Sequence, residues 1–259
     1  LRDEFYHPDG PRGTRSHAPI DIEVEQGIRA RLRQAFPEWG FVGEETGAEG
    51  SSDVFWLVDP NDGTEPFLRG LRGSTVSIAL IDDGVPVLGL VYAPTAPDDA
   101  GDLFSWAEGC GPLRRNGLPV EPGGPASELT RYSVVLVSHD ADAAVEQNLR
   151  CCAPARYRSM PSIAYRLALV AAGEADAAVS LNGPAAWDVA AGHALLRGVG
   201  GELIDVDGSP PRYAAATGTR LHSCYGGSAS VARDLAGRNW RRVFERSAEE
   251  AGVFPYPIR

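Results

Sequence analysis

The chain has 259 residues, 43% of them hydrophobic, and a formal net charge of −11. Such a chain can bury a large core as one domain or two tightly joined lobes, and its acidic balance argues against a broad basic surface for a nucleic acid polymer. No apolar run reaches the length of a membrane span, and no signal peptide is visible. Cys110, Cys151, Cys152 and Cys224 have no metal-binding spacing, which fits reduced thiols in a cytoplasmic protein.

The first residue is Leu1 rather than Met, and a native start upstream of it is expected. Tyr6 to Gly13 is rich in Pro, Gly and Asp and is expected as a turn-rich arm, with His7 and His17 as surface residues. Glu25 to Phe36 places Ile28, Leu32 and Phe36 on one helical face, with Pro37 after it. Phe41-Val42-Gly43-Glu44-Glu45-Thr46 reads as a strand end opening into an acidic loop, and Val54 to Val58 as a second strand. Ser74 to Ile81 and Val85 to Tyr92 read as a strand pair turning at Asp82-Asp83-Gly84, with a third strand over Leu103 to Ala107. Residues 121–130, rich in Pro, Gly, Ala and Ser, mark the expected boundary between lobes 1–128 and 129–259. Beyond it come a strand (Ser133 to Ser138), a helix (Ala141 to Arg150), a helix (Ser162 to Gly173) and a short strand (Ala177 to Ser180). A helix after Asp188, strands over Gly201 to Val206 and Leu221 to Tyr225, and a final helix from Ala229 towards Phe244 complete the α/β pattern.

The chemistry concentrates in Asp59-Pro60-Asn61-Asp62-Gly63-Thr64. An apolar strand, two carboxylates three residues apart and a glycine turn place hard oxygen ligands at a strand's carboxyl end, where α/β proteins build sites. Asp59 and Asp62 can share one cation or bridge two, and Thr64 offers a hydroxyl beside them. The same letters alone also spell an ordinary Asn-Asp-Gly turn. Glu44-Glu45 upstream, and Trp187-Asp188 opening an Ala-rich helix downstream, tip the balance towards a metal-dependent phosphate site. Asp188 alone would read as a helix cap, and His193 one turn later as a packing or capping residue.

Together, Gly43-Glu44-Glu45, the Asp-Pro-x-Asp-Gly-Thr run about fifteen residues later and Trp187-Asp188-x-Ala-Ala-Gly resemble the inositol monophosphatase superfamily, magnesium-dependent and lithium-sensitive phosphatases. Asp21, 23 residues before Glu44, matches a fourth family position. The resemblance runs from about Pro19 to Ser228 and implies a layered αβαβα sandwich whose acids meet at the lobe junction, most of them carried by the first lobe and Asp188 by the second. It implies two or three Mg2+ ions: one held by Glu44, Asp59 and the Asn61 carbonyl, a second by Asp59, Asp62 and Asp188. Asp21 would orient Thr64, whose hydroxyl helps activate a metal-bound water, so that Asp21, Glu44 and Thr64 form the catalytic set. Gly63, Thr64 and Asp188 would contact substrate, and Glu45 would stand behind the ligands. A homodimer acting on a small phosphorylated polyol, sugar or nucleotide is the family expectation. Haloacid-dehalogenase-type phosphatases need a nucleophilic Asp at position 60, and Pro60 excludes their phosphoaspartate chemistry.

Substrate positions depart from the family pattern. Inositol-directed members carry Glu where this chain has Leu181, family members often show Gly-Ser where it has Pro161-Ser162, and many relatives have Thr where it has Ala18. Ile78 to Ile81 and Gly84 to Pro94 look more like the 3′(2′),5′-bisphosphate nucleotidase branch, the alternative reading, although Glu65-Pro66-Phe67 replaces its usual Lys-Glu-Phe. Arg69 and Arg72 are candidates for a second phosphate, against the commoner outcome of solvated arginines. A non-catalytic, metal-binding family member is a further alternative, disfavoured by retention of the whole acid set.

Overall fold

The computed structural model describes residues 1–50, 53–121, 126–215 and 220–244. A short helix, α1 (Arg2–Phe5), and a turn-rich arm lead to α2 (Pro19–Ala35). Pro19 suits the first helical turn, where its missing N–H is not needed. The helix starts earlier than its apolar periodicity predicts, so Asp21 lies inside its first turn. Ile28 and Leu32 pack with Phe41, Trp56 and Val58, fixing α2 against the outer face of the first sheet.

That sheet contains β1 (Gly40–Gly43), β2 (Gly47–Glu49), β3 (Val54–Asp62), β4 (Thr75–Asp82), β5 (Val85–Ala93), β6 (Asp102–Ala107), β7 (Arg114–Arg115) and β8 (Leu118–Pro119), in spatial order β2-β1-β3-β4-β5-β6-β7-β8. β1 and β3 run parallel and the other pairs antiparallel. The second sheet contains β9 (Val134–Ser138), β10 (Arg156–Met160), β11 (Ala177–Ser180), β12 (Glu202–Ile204) and β13 (Cys224–Gly227), in order β10-β9-β11-β13-β12.

The layers are completed by α3 (Thr64–Leu68), α4 (Val145–Cys152), α5 (Ile163–Ala171), α6 (Ala186–Gly198) and α7 (Ala229–Gly237). α5 and α6 pack on each other between the sheets, and α4 and α7 cover the far face of the second. The order is therefore α2, sheet, α5 and α6, sheet, α4 and α7: the expected αβαβα sandwich. One buried cluster joins Leu57, Ile81, Val91 and Phe104 of the first sheet through Leu167, Val189 and Leu195 to Leu136, Ala178 and Leu203 of the second. That shared core holds the two halves of the cleft in register.

Several expected elements shift. The helix expected over Ala141 to Arg150 is a 3-10 turn (His139–Ala143) followed by α4. At the break Ala144 N–H bonds to Ala141 O three residues back, the 3-10 pattern, and Asn148 Nδ2 folds back to donate to the Ala141 and Ala144 carbonyls. β10 was not expected from its polar sequence and is an edge strand. The last strand is Cys224–Gly227 rather than Leu221 to Tyr225. The expected final helix is broken rather than continuous: α7 ends at Gly237, where Arg238 turns extended, residues 240–244 are helical again, and the Trp240 indole donates to Leu235 O. Within the 121–130 boundary, residues 122–125 lie outside the described residues.

Candidate active site

The parallel pairing of β1 and β3 brings two acidic loops together at their carboxyl ends. Gly43 pairs with Val58, and Glu44 N–H donates to Val58 O at 3.1 Å, so Glu44 emerges beside Asp59 and hydrogen-bonds to it. In a regular strand residues three apart face opposite sides. Here three residues from Asp59 to Asp62 span only Ser77 to Thr75 on β4, and this bulge re-aims the two carboxylates so that each feels the other's charge. Gly63 then turns at φ +98°, a conformation costly to other residues, and starts α3 at Thr64. Asp188 comes from across the cleft as the third residue of α6, its Oδ2 accepting from Ala185 N–H at 2.8 Å. Ser77 Oγ donates to Trp187 O at 2.9 Å and ties that helix end to β4.

Asp21 reaches the same place from α2. Its Oδ2 lies 3.0 Å from Thr64 Oγ1, and its Oδ1 accepts from Asn61 Nδ2 at 3.0 Å. Thr64 Oγ1 is also 3.0 Å from the Asn61 carbonyl, so its single proton has two acceptors. The loop is braced further by Asn61 N–H donating to Asp59 Oδ1 at 2.7 Å.

Four side chains that matter to this geometry were missed by sequence reading. Glu25, one turn after Asp21 and fully buried, accepts from the backbone N–H groups of Glu45 (2.9 Å) and Thr46 (2.8 Å) and from the Thr46 hydroxyl. A Cβ on Gly43 would lie 2.2 Å from Glu25 Oε1, which is why glycine precedes the acids. The Asn61 side chain, rather than its carbonyl alone, braces Asp21. Ser162 caps α5 by accepting from Tyr165 N–H at 2.9 Å and donates its hydroxyl to Asp62 Oδ2 at 2.5 Å, where Ala164 N–H also donates at 2.7 Å. Arg166, 2% exposed, adds an attractive charge to Asp62 and donates to Ser162 O. The i, i+4 spacing of Asp21 and Glu25, and of Ser162 and Arg166, was the available signal.

Other expectations sort simply. Glu45 faces His17 at 3.9 Å, behind the cleft. Arg69 pairs with Glu65, and Arg72 contacts Tyr6, Thr95 and Asp99. His193 packs as expected, its Nδ1 3.0 Å from Tyr213 Oη, and burial pushes its pKa down to about 3.

Electrostatics mark the acids as one cluster. Burial raises Asp59 well above the usual carboxylate range, and Glu44, Asp62 and Asp188 raise it further. Asp188 is pushed up by burial and by Asp62 and Glu44. Glu44 is an exposed residue, but its carboxyl turns towards the acids. Lost solvation there raises it to about 7 against the opposing hydrogen bond to Asp59. Asp21 rises to about 6 through burial, opposed by Thr64 and Asn61. Asp62 is raised by burial and held down by Ser162, Ala164 and Arg166. Among the described residues no three His, Cys, Asp or Glu side chains close into a ready-made metal cage. The donor set still fits magnesium: carboxylates and a carbonyl, without imidazole or thiolate, and mutually repelling acids that a divalent cation would keep ionised. Asn61 Oδ1 is in addition a buried acceptor without a partner.

A layered α/β sandwich with an acidic cleft at the junction of two sheets defines a phosphatase class of fold and site. Residues 12–236 match the inositol monophosphatase family, and the chain belongs to it, a family of phosphoric monoester hydrolases. It is 33% identical over 202 residues to the Nus factor SuhB of Xylella fastidiosa, covering 73% of this chain and 69% of that one. It is 35% identical over 161 residues to the 3′(2′),5′-bisphosphate nucleotidase CysQ of Escherichia coli K12, covering 61% of this chain and 62% of that one. The solved inositol monophosphatase from Anabaena superposes with a TM-score of 0.67 at 26% identity, over 87% of this chain and 86% of that one.

Proposed function

We propose that the chain is a magnesium-dependent phosphomonoesterase that hydrolyses a small phosphorylated polyol, sugar or nucleotide by direct attack of water. The observation that carries this reading is the Asp21–Thr64–Asn61 hydrogen-bond array set against the Glu44, Asp59, Asp62 and Asp188 cluster. Glu44, Asp59, Asp62, Asp188 and the Asn61 carbonyl would hold two or three Mg2+ ions. When bound, magnesium neutralises phosphate charge and lowers the pKa of coordinated water. Asp21, as a carboxylate, accepts from Thr64 and can take the hydroxyl proton as the Thr64 oxygen takes one from water, so that the proton ends on Asp21. Thr64 and Gly63 at the start of α3, with Asp188 opposite, border the place for the phosphate. Ser162 orients Asp62, and with Arg166 it opposes the rise in pKa that burial imposes. We assign the protein to the cytoplasm as a homodimer with an N-terminal lobe of residues 1–128 and a C-terminal lobe of residues 129–259. Among the described residues no helix is long and apolar enough to cross a membrane.

Phosphate release from inositol 1-phosphate, adenosine 3′,5′-bisphosphate, fructose 1,6-bisphosphate, histidinol phosphate and an aryl phosphate tests the activity. The expected result is turnover with magnesium that EDTA abolishes and lithium inhibits. Folded protein that releases phosphate from none of these, or equally well in EDTA, refutes the reading.

A further inference from the structure

A second cavity, of about 410 Å3, adjoins the acid cleft. The two share Ser138 and Asn182, and the cleft on the other side contains Asp62, Arg166 and Asp188. A group attached to a phosphate at the acids thus has an opening to enter. The cavity walls are mostly apolar, with Val179, Leu181, Tyr225, Trp240 and Phe244 among them, although Asn148, His222 and Arg241 also line it. The Tyr225 and Trp240 rings are buried side by side, with centroids 6.3 Å apart and planes at 48°.

This lining rejects one substrate type and suits another. A polyol entering it would give up water at each hydroxyl with few polar groups to replace it. A flat ring would exchange apolar and aromatic surface with the walls at little cost. The cavity size falls within the roughly 300–1,000 Å3 of small-molecule pockets. Polar side chains stand among the apolar ones: Asn182 and His222 also line the cavity, and an amide and an imidazole suit the donors and acceptors on the edge of a heteroaromatic ring. Leu181, at the position where inositol-directed relatives carry Glu, belongs to the same wall.

We propose that the alcohol released by this enzyme carries a planar heteroaromatic ring of the nucleobase kind, which this cavity receives while the phosphate lies at the acids. The inference rests on the phosphomonoesterase reading above. In the reaction the water oxygen bonds to phosphorus, the ester P–O bond breaks, and the departing oxygen takes a proton to become the alcohol. The ring takes no part in that exchange and contributes binding alone.

Two measurements separate the cavity from the chemistry. Adenosine, which has no phosphate, is titrated calorimetrically against the protein, with glycerol as the comparison. Adenosine 3′,5′-bisphosphate and glycerol 2-phosphate are then compared as substrates in magnesium. Adenosine is expected to bind and glycerol not, and the nucleotide to have a kcat/KM at least about tenfold higher. Leu181→Gln should raise KM for the nucleotide about tenfold and leave glycerol 2-phosphate within about twofold. Val206→Trp, at an exposed position on the cavity rim, should act in the same way by narrowing it. Turnover of glycerol 2-phosphate without adenosine binding, or equal kcat/KM values indifferent to both variants, overturns the cavity assignment alone. Adenosine binding that V206W blocks, with neither ester cleaved, supports the cavity and overturns the activity.

Discussion

The two flanks of the cleft are built in different ways. On one, α2 and the ends of β1 and β3 hold Asp21, Glu25, Glu44, Asp59, Asn61 and Thr64 in short motifs that hydrogen bonds tie to one another. On the other, Ser138, Leu181, Ser223, Tyr225 and Trp240 come from separate strands and loops and are joined mainly by apolar packing. The first flank is rigid and electrostatically demanding, because each buried carboxylate needs its donors in place. The second needs only shape and apolar surface, so its residues can vary singly. A family can thus keep one chemistry and exchange the groups it acts on.

The sharpest way to break this contrast is to remove an acid from the demanding flank. Asp62→Asn should lower magnesium-dependent kcat/KM by at least about 1,000-fold, as loss of charge stabilisation at a reacting centre does, with circular dichroism unchanged. Its neighbours would still offer Ser162 and Ala164 as donors to an amide oxygen, so the fold has no reason to fail. Near-normal turnover would show that the acid cluster is not the reacting centre.

Glu25→Gln tests whether the rigidity lies in the support as well as in the acids. Glutamine keeps the shape but replaces one of the two acceptor oxygens with an NH2, setting donor against donor at either the Glu45 or the Thr46 N–H. The expected cost is about 10–100-fold in magnesium affinity, read by direct titration as well as by turnover, with kcat at saturating magnesium nearly kept. Loss of kcat with unchanged metal affinity would place Glu25 elsewhere in the mechanism. Ser162→Ala should be milder, about tenfold in kcat/KM. Ala164 N–H and Arg166 still serve Asp62 after that change.

The same contrast decides what the sequence makes legible. Asp59, Asp62, Glu44 and Asp188 stand in letters that can be read directly, because carboxylates beside strand ends, tight turns and helix starts constrain local sequence. The layered order of elements is legible for the same kind of reason: strand and helix periodicities repeat along the chain. Glu25 and Ser162 are not, since a Glu in an amphipathic helix looks like a solvated face and a Ser before a helix looks like a cap. What distinguishes them is a long-range contact, Glu25 with a loop 20 residues away and Ser162 with an acid 100 residues away. The bulge between Asp59 and Asp62 is equally invisible, because it appears only when β3 is paired with β4. So is the break before α4, where Asn148 folds back.

A smaller effect sharpens the contrast from the helix that serves both flanks. α6 begins with Asp188 and, one turn later, buries His193 against Tyr213, neutral because burial lowers its pKa from 6.5 to about 3. Unfolded chain binds a proton at this histidine below pH 6.5 and folded chain does not, so the unfolded state carries more protons between those values. Stability from this group is therefore complete above pH 6.5 and falls as pH drops towards 3, with a slope of about 1.4 kcal/mol per pH unit. The raised carboxylates of the cleft act in the opposite sense, since folded Asp59 and Asp188 take up protons before unfolded ones do. Comparing the wild type with His193→Asn isolates the histidine from them. Urea unfolding at pH 7.0 and 5.0 should show the variant losing less stability on acidification, by about 2 kcal/mol. Equal losses in both proteins would mean that His193 can take up its proton inside the fold, and that the helix joining the flanks is looser than its packing indicates.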